Sequence, residues 1–142
     1  MKSKLTLIIW FFGITSHAAE TSCEGKWAGT YLDEARGWKT DSELIVTEEH
    51  TTWKSKLGMH KKQNSPCRDV VFPAKILKCT ANEIEFIVDG SSVMSPRGNH
   101  CPDWHGKLKR TNEDTAEGYF LTDSAGMPIE EGSKPLSLIR IR

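Results

Sequence analysis

Short segments of alternating apolar and polar residues, separated by turn residues, make up most of the chain. Clusters of Gly, Pro, Asn, Asp or Ser punctuate it at roughly eight- to twelve-residue intervals, and the segments between them are rich in β-branched and aromatic residues. In one such segment, Ile84, Phe86 and Val88 lie on one face while Glu83 and Glu85 lie on the other. No segment sustains a helical period of 3.6 residues. The pattern predicts an antiparallel β sandwich or barrel.

The segments between the turn residues predict eight strands. The order of these strands predicts that they close into a barrel. In the last strand, Ile139 and Ile141 alternate with Arg140 and Arg142, which predicts a strand with one wet face. Eight consecutive antiparallel strands joined by local turns can close into a barrel whose interior holds side chains or one small ligand. We therefore expect an all-β, eight-stranded antiparallel up-and-down β-barrel. Its predicted strands cover residues 26–32, 43–49, 51–57, 70–78, 83–89, 104–110, 116–122 and 136–142.

The first residues are typical of a secretory signal. Met1 to Lys4 carries two lysines, an apolar run from Leu5 to Ile14 follows, and Ser16-His17-Ala18 supplies small residues at the two positions that signal peptidase requires. Ten residues at about 1.5 Å each cover only about half of a membrane core of about 30 Å, so we expect no membrane span. We predict a cleaved signal over 1–18 and a single domain over 19–142, which works in the periplasm or outside the cell.

Charge and cysteine content narrow the possible functions. The chain has 19 basic and 19 acidic residues, and loss of the signal leaves 17 basic residues against 19 acidic ones. That balance argues against a nucleic-acid-binding protein, which usually carries a basic excess. Four cysteines in a small exported protein indicate two disulfides. Strand alternation puts Cys23 and Cys79 at one end of the barrel and Cys67 and Cys101 at the other, which favours the pairs Cys23–Cys79 and Cys67–Cys101.

Three short motifs resemble the calycin barrels, and the avidin-like proteins among them more than the lipocalins. The motifs are Gly25-Lys26-Trp27, which opens the first strand, Ser42 to Val46, and Trp104-His105-Gly106. Cysteines at the positions of Cys67 and Cys101 are also similar to the bridge of dimeric avidin-like proteins. The resemblance implies a barrel. It does not imply biotin binding, because Gly29 stands where avidins place an asparagine that binds the ureido group.

Catalytic and metal-binding patterns are sparse. His100, Asp103 and His105 lie within six residues of each other and are ligand types that zinc or copper accepts, which makes them the candidate metal site. The alternative is a polar loop at the barrel mouth. No nucleophile motif occurs, and the acidic pairs fall at predicted turns, so we expect a protein that is not an enzyme and needs no cofactor.

Loop residues suggest binding of a partner protein as the first functional hypothesis. Trp38 in the first loop and the basic residues Lys61, Lys62 and Arg68 are candidates for an interface, together with the loop from Asn99 to Trp104. In its sharpest form, the hypothesis is an inhibitor or immunity protein that binds a secreted hydrolase or toxin. The alternative is a carrier of a small apolar or aromatic ligand inside the barrel. The residues expected to line that interior are Trp27, Tyr31, Phe86, Trp104 and Tyr119.

Overall fold

Eight antiparallel strands close into one barrel, as the alternation predicts. The computed structural model describes residues 22–33, 38–57, 70–93, 101–122, 126–132 and 134–142. Each strand pairs with its neighbours in the chain, and the eighth pairs with the first to complete the barrel. The strands are β1 (Gly25–Asp33), β2 (Trp38–Val46), β3 (Thr51–Leu57), β4 (Val71–Cys79), β5 (Glu83–Val88), β6 (Trp104–Asn112), β7 (Thr115–Phe120) and β8 (Pro135–Ile141).

The second strand lies nearer the amino terminus than predicted. It pairs with β1 along its full length, from Gly25 opposite Val46 to Asp33 opposite Trp38. It ends at Val46 because Thr47 begins a turn, where its amide and its hydroxyl both donate to the carbonyl of His50 at 2.8 Å. The prediction of strand over 43–49 is therefore wrong at both ends. Trp38 is the first residue of β2 and not a loop residue, although its side chain lies outside the described residues.

Inward-facing side chains form an aliphatic and aromatic core inside the barrel. Ile84, Phe86 and Val88 are fully buried on the inner face of β5, as their alternation predicts. The last strand alternates as predicted, but the residue on its inner face at this end is an arginine and not an isoleucine. Arg140 is buried, whereas Ile139 and Ile141 are 57% and 54% exposed. The solvent-exposed face of β8 therefore carries the two isoleucines.

One end of the barrel is fastened by the predicted disulfide. Cys23 and Cys79 are bonded, with their Cα atoms 6.1 Å apart and a sequence separation of 56. Cys101 is also disulfide-bonded. Cys67, its expected partner, lies outside the described residues, so the pair Cys67–Cys101 stays a prediction. A structural disulfide is typical of an oxidising compartment and agrees with export.

The candidate signal cannot be compared with the fold. Residues 1–18 lie outside the described part of the chain. Within the described ranges, no helix has the length and apolar character needed to cross a membrane.

Candidate functional site in the barrel interior

The two ends of the barrel differ in construction. We call the end where β1 begins and β2 ends the closed end, and the opposite end, where β1 ends and β2 begins, the mouth. At the closed end, Trp27 is fully buried and its indole nitrogen donates to the carbonyl of Cys23 at 2.9 Å. The guanidinium carbons of Arg140 and Arg110 lie 4.6 and 5.6 Å from the centre of the Trp27 ring. The closed end is therefore occupied by a buried tryptophan whose ring both arginines contact.

Both arginines also anchor the segment that covers this end. Arg140 donates to the carbonyl of Ser22 at 2.8 Å, and Arg110 donates to the same carbonyl at 3.3 Å. Arg110 also donates to the carbonyls of Thr80 and Glu113 at 3.1 and 2.8 Å. Charged donors are expensive to bury, and these bonds to backbone oxygens offset that cost. These contacts make the closed end rigid. The mouth half of the barrel is therefore the better candidate for a ligand site.

Three aromatic side chains meet across the middle of the barrel. The ring centroids of Trp53 lie 5.5 Å from Phe86 and 5.4 Å from Phe120, and Phe86 and Phe120 lie 6.2 Å apart. We call these three residues the aromatic triad. Their strands, β3, β5 and β7, are not neighbours in the barrel, so the rings must span the interior to touch. Packing against Phe86 is tight, since a Cβ atom on Gly106 would lie 2.5 Å from its ring.

Hydroxyl groups face the interior on the mouth side of the triad. Thr40 and Ser42 alternate with exposed Lys39, Asp41 and half-buried Glu43, and are only 1% and 2% exposed. Ser42 lies directly opposite Ser55 of β3, whose hydroxyl oxygen accepts a hydrogen bond from the Trp53 indole at 3.3 Å. We call Thr40, Ser42 and Ser55 the hydroxyl row.

Two members of the hydroxyl row are buried without a hydrogen-bond partner. Among the residues that the structure describes, neither the Thr40 Oγ1 atom nor the Ser42 Oγ atom has one. A buried polar atom left unpaired costs about 1 to 3 kcal/mol, and such atoms are uncommon in folded proteins. Each hydroxyl can donate one hydrogen bond and accept others, so the row could bind a carbonyl, amide or hydroxyl group of a ligand or an ordered water.

Aromatic side chains supply the opposing apolar wall near the mouth. Trp104 is half-buried at the start of β6 and stacks edge-on against the fully buried Phe72, with the ring centroids 5.2 Å apart. Val88 and Leu136 are buried beside them. The mouth half of the barrel therefore combines polar hydroxyls on β2 and β3 with aromatic and aliphatic surface on the other strands.

The structure separates the residues predicted to line the interior. Trp27 and Phe86 are buried in the barrel, but Trp27 belongs to the closed end. The expectation for Tyr119 is wrong, because it pairs with exposed Lys107 and its hydroxyl donates to Glu131 on the outer surface. Phe120, the next residue, faces inward in its place. Tyr31 lies in β1, but its side chain is outside the described residues.

Of the residues predicted to bind a partner or a metal, four lie outside the described residues, namely Lys61, Lys62, Arg68 and His100.

Of the predicted metal ligands, Asp103 accepts a hydrogen bond from the Ser91 amide at 3.0 Å, and His105 lies 2.7 Å from the Glu85 carboxylate. Within the described ranges, no three His, Cys, Asp or Glu side chains are grouped closely enough to hold a metal ion.

The outer surface of the barrel is divided into two kinds of face. On β8, β1 and β2, the exposed side chains of Ile45, Ile139 and Ile141 lie around Lys26, which pairs with Ile141 on one side and Ile45 on the other. We call these three isoleucines the aliphatic face. The outer side of β5, β6 and β7 is instead charged, and it carries a groove of about 510 Å³ beside Tyr119.

Sequence reasoning missed the hydroxyl row. Thr40 and Ser42 precede the predicted second strand, so the pattern did not predict whether they face the interior or the solvent. The signal is visible once β2 is extended to Trp38, because Thr40, Ser42, Leu44 and Val46 then alternate along its inner side.

Comparison with known proteins adds no identity. No family model, curated protein or solved structure matches the chain. The closed eight-stranded barrel agrees with a calycin-like fold. Membership of the avidin-like or lipocalin-like group stays a prediction.

Proposed function

We propose that the protein is an exported barrel that binds a small molecule in the mouth half of its interior. The observation that carries this proposal is the pair of buried, unpartnered hydroxyls on Thr40 and Ser42. Ligand sites are typically apolar cavities with a few polar groups that fix orientation, and the hydroxyl row opposite Phe72 and Trp104 has that composition. The avidin-like resemblance agrees with a site inside the barrel.

Native mass spectrometry of the protein purified from its export compartment tests the proposal. We expect an additional small mass that is lost on denaturation under non-reducing conditions. The double variant Thr40→Val, Ser42→Ala should lose that mass, because the ligand would leave its own polar group unpaired. Thr30→Val is the matched control, since Thr30 lies on the outward-facing side of β1 opposite Asp41.

Stability distinguishes a ligand from a structural water. Replacing an unpaired buried hydroxyl with an apolar group should leave the free energy of unfolding of the empty protein unchanged or slightly higher. A bare wild-type mass, combined with a loss of more than about 1 kcal/mol in the double variant, would show that water already satisfies these hydroxyls. That result would refute the proposal.

A second candidate is the binding of a partner protein, as an inhibitor or immunity protein does. The observation that favours it is the aliphatic face, whose three isoleucines are exposed on β2 and β8, the two strands that flank β1. Exposed apolar side chains grouped on one face and surrounded by polar residues often mark an interaction site. The face is a different surface from the loop residues that the sequence suggested.

Affinity capture from the export compartment tests this candidate. The wild-type protein should retain a specific partner, and Ile139→Asp should release it by replacing one of the three exposed isoleucines with a charge. Lys109→Ala, on the charged outer surface, should retain the partner as the wild type does. Equal recovery with Ile139→Asp would exclude the aliphatic face as the interface.

A further inference from the structure

We infer that the aromatic triad is the floor of the ligand site and restricts it to compact, ring-sized ligands, excluding extended chains. The inference rests on the proposed small-molecule function. It adds a limit on the shape of the ligand and names Trp53, Phe86 and Phe120 as the residues that set this limit.

The first support is the way the triad divides the interior. Its three rings come from alternate strands and are each 5% exposed or less. Trp53 meets Phe120 edge to face, and Phe86 meets Phe120 at 75°. Rings in such contacts leave little room between them, since protein interiors are packed as densely as organic crystals.

The second support is that the closed half below the triad is already filled. Ile84, Leu108 and Leu138 occupy the interior there, each 1% exposed or less. Beyond them, at the closed end, both arginines contact the Trp27 ring. A long chain could enter only if several of these side chains moved together.

The third support is the short distance between the hydroxyl row and the floor. Thr40 lies four residues toward the mouth from Leu44, which pairs with Trp53. At about 3.3 Å per residue and a strand tilt of about 40°, this separation is about 10 Å along the barrel axis. That depth suits a ring attached to a polar head group.

The hydrogen bond from the Trp53 indole to Ser55 links the floor to the hydroxyl row. It fixes the edge of the tryptophan that faces the mouth, while Phe86 and Phe120 contact the ring itself. Ser55 is therefore a positioning residue for the floor as well as a member of the row.

Two amides of similar size provide a direct test. Benzamide and octanamide share a head group that can bond to the hydroxyl row, but one carries a ring and the other a linear chain. By calorimetric titration of the exported protein, we expect benzamide to bind at least tenfold more tightly than octanamide. Phe120→Ala should improve octanamide binding at least tenfold, because the missing ring leaves a gap in the floor that the end of a linear chain can occupy, while benzamide binding changes less than threefold.

Control variants distinguish the loss of the aromatic floor from a general loosening of the barrel. Phe72→Ala removes a ring on the mouth side of the triad, and should weaken benzamide binding without admitting octanamide. Phe120→Leu serves if the alanine variant fails to fold, since losing a buried phenylalanine side chain costs about 3 to 5 kcal/mol. It should improve octanamide binding in the same direction but by a smaller factor.

The outcomes distinguish this inference from the proposed function. Equal binding of both amides by the wild type would overturn the floor while leaving an interior site in place. Binding of octanamide that Phe120→Ala and Phe120→Leu do not improve would also overturn it. Failure of both amides to bind any of the proteins, together with a bare mass of the purified protein, would overturn the proposed function and the floor with it.

Discussion

At the end of β8, apolar and charged residues alternate as predicted, but the residue that faces the interior is not the one that burial preferences favour. Arg140 and Arg142 alternate with two isoleucines, and average burial preferences would place the isoleucines inside. The structure does the reverse, because Arg140 finds the Trp27 ring and the Ser22 carbonyl at the closed end. These partners lie more than a hundred residues away along the chain, so the alternation alone could not reveal which face was inner.

The importance of Arg140 can be measured against its neighbour on the same strand. We expect Arg140→Met to lower the free energy of unfolding by about 2 kcal/mol, since it removes a desolvated cation–π contact and a charged hydrogen bond. Arg142→Met should cost less than about 1 kcal/mol, because that side chain is exposed and its ion pair with Asp114 is in solvent. Urea unfolding checks both values, and similar losses in the two variants would contradict a special role for Arg140.

At the scale of strands and turns, the number of strands was predictable, but the bounds of β2 were not. All eight strands follow from the spacing of turn residues and the β-branched and aromatic residues between them, and period-two alternation supports several of the strands. The start of β2 was missed because the predicted strand began only at Glu43, whereas the whole segment from Trp38 pairs with β1. Hydrogen bonding between neighbours, more than local composition, sets that boundary. The same error concealed Thr40 and Ser42, and with them the candidate site.

The turn after β5 offers a test of local electrostatics. Hydrogen bonds from the Ser91 hydroxyl and then the Ser92 amide lower the pKa of Asp89 below the ordinary aspartate value of about 3.9. A lowered pKa means that the ionised turn is fully stabilised above that ordinary value and loses this stabilisation as the pH falls through the lowered one. In NMR spectra recorded over a range of pH, the chemical shift of the Ser92 amide should therefore change with a midpoint below about pH 3.9.

Two comparisons make the pH experiment specific to Asp89. Asp89→Asn should abolish this titration at the Ser92 amide. The Ser91 amide donates to Asp103 and provides an internal report on that second carboxylate. A Ser92 midpoint at or above the ordinary value would mean that the turn does not favour the ionised form of Asp89.

At the scale of the whole molecule, closure of the barrel was predictable because it requires only eight strands in sequence and local connections. The alternating direction of successive strands predicts that Cys23 and Cys79 lie at the same end of the barrel, where they are bonded. The aromatic triad could not be predicted in the same way. Its members belong to three strands that do not pair, so their meeting depends on the curvature of the closed barrel and on the space left by Gly106.

The disulfide at the closed end should be a large part of the stability of the molecule. A bond that closes a loop of 56 residues restricts the unfolded chain by about 4 kcal/mol in the chain-entropy description. We expect the double variant Cys23→Ala, Cys79→Ala to lose about 2 to 4 kcal/mol in urea unfolding, because measured effects often fall below that description. Adding a reductant to this variant then isolates the bond made by Cys101. A loss below about 1 kcal/mol in the double variant would show that the arginines and Trp27 hold the closed end without a covalent link.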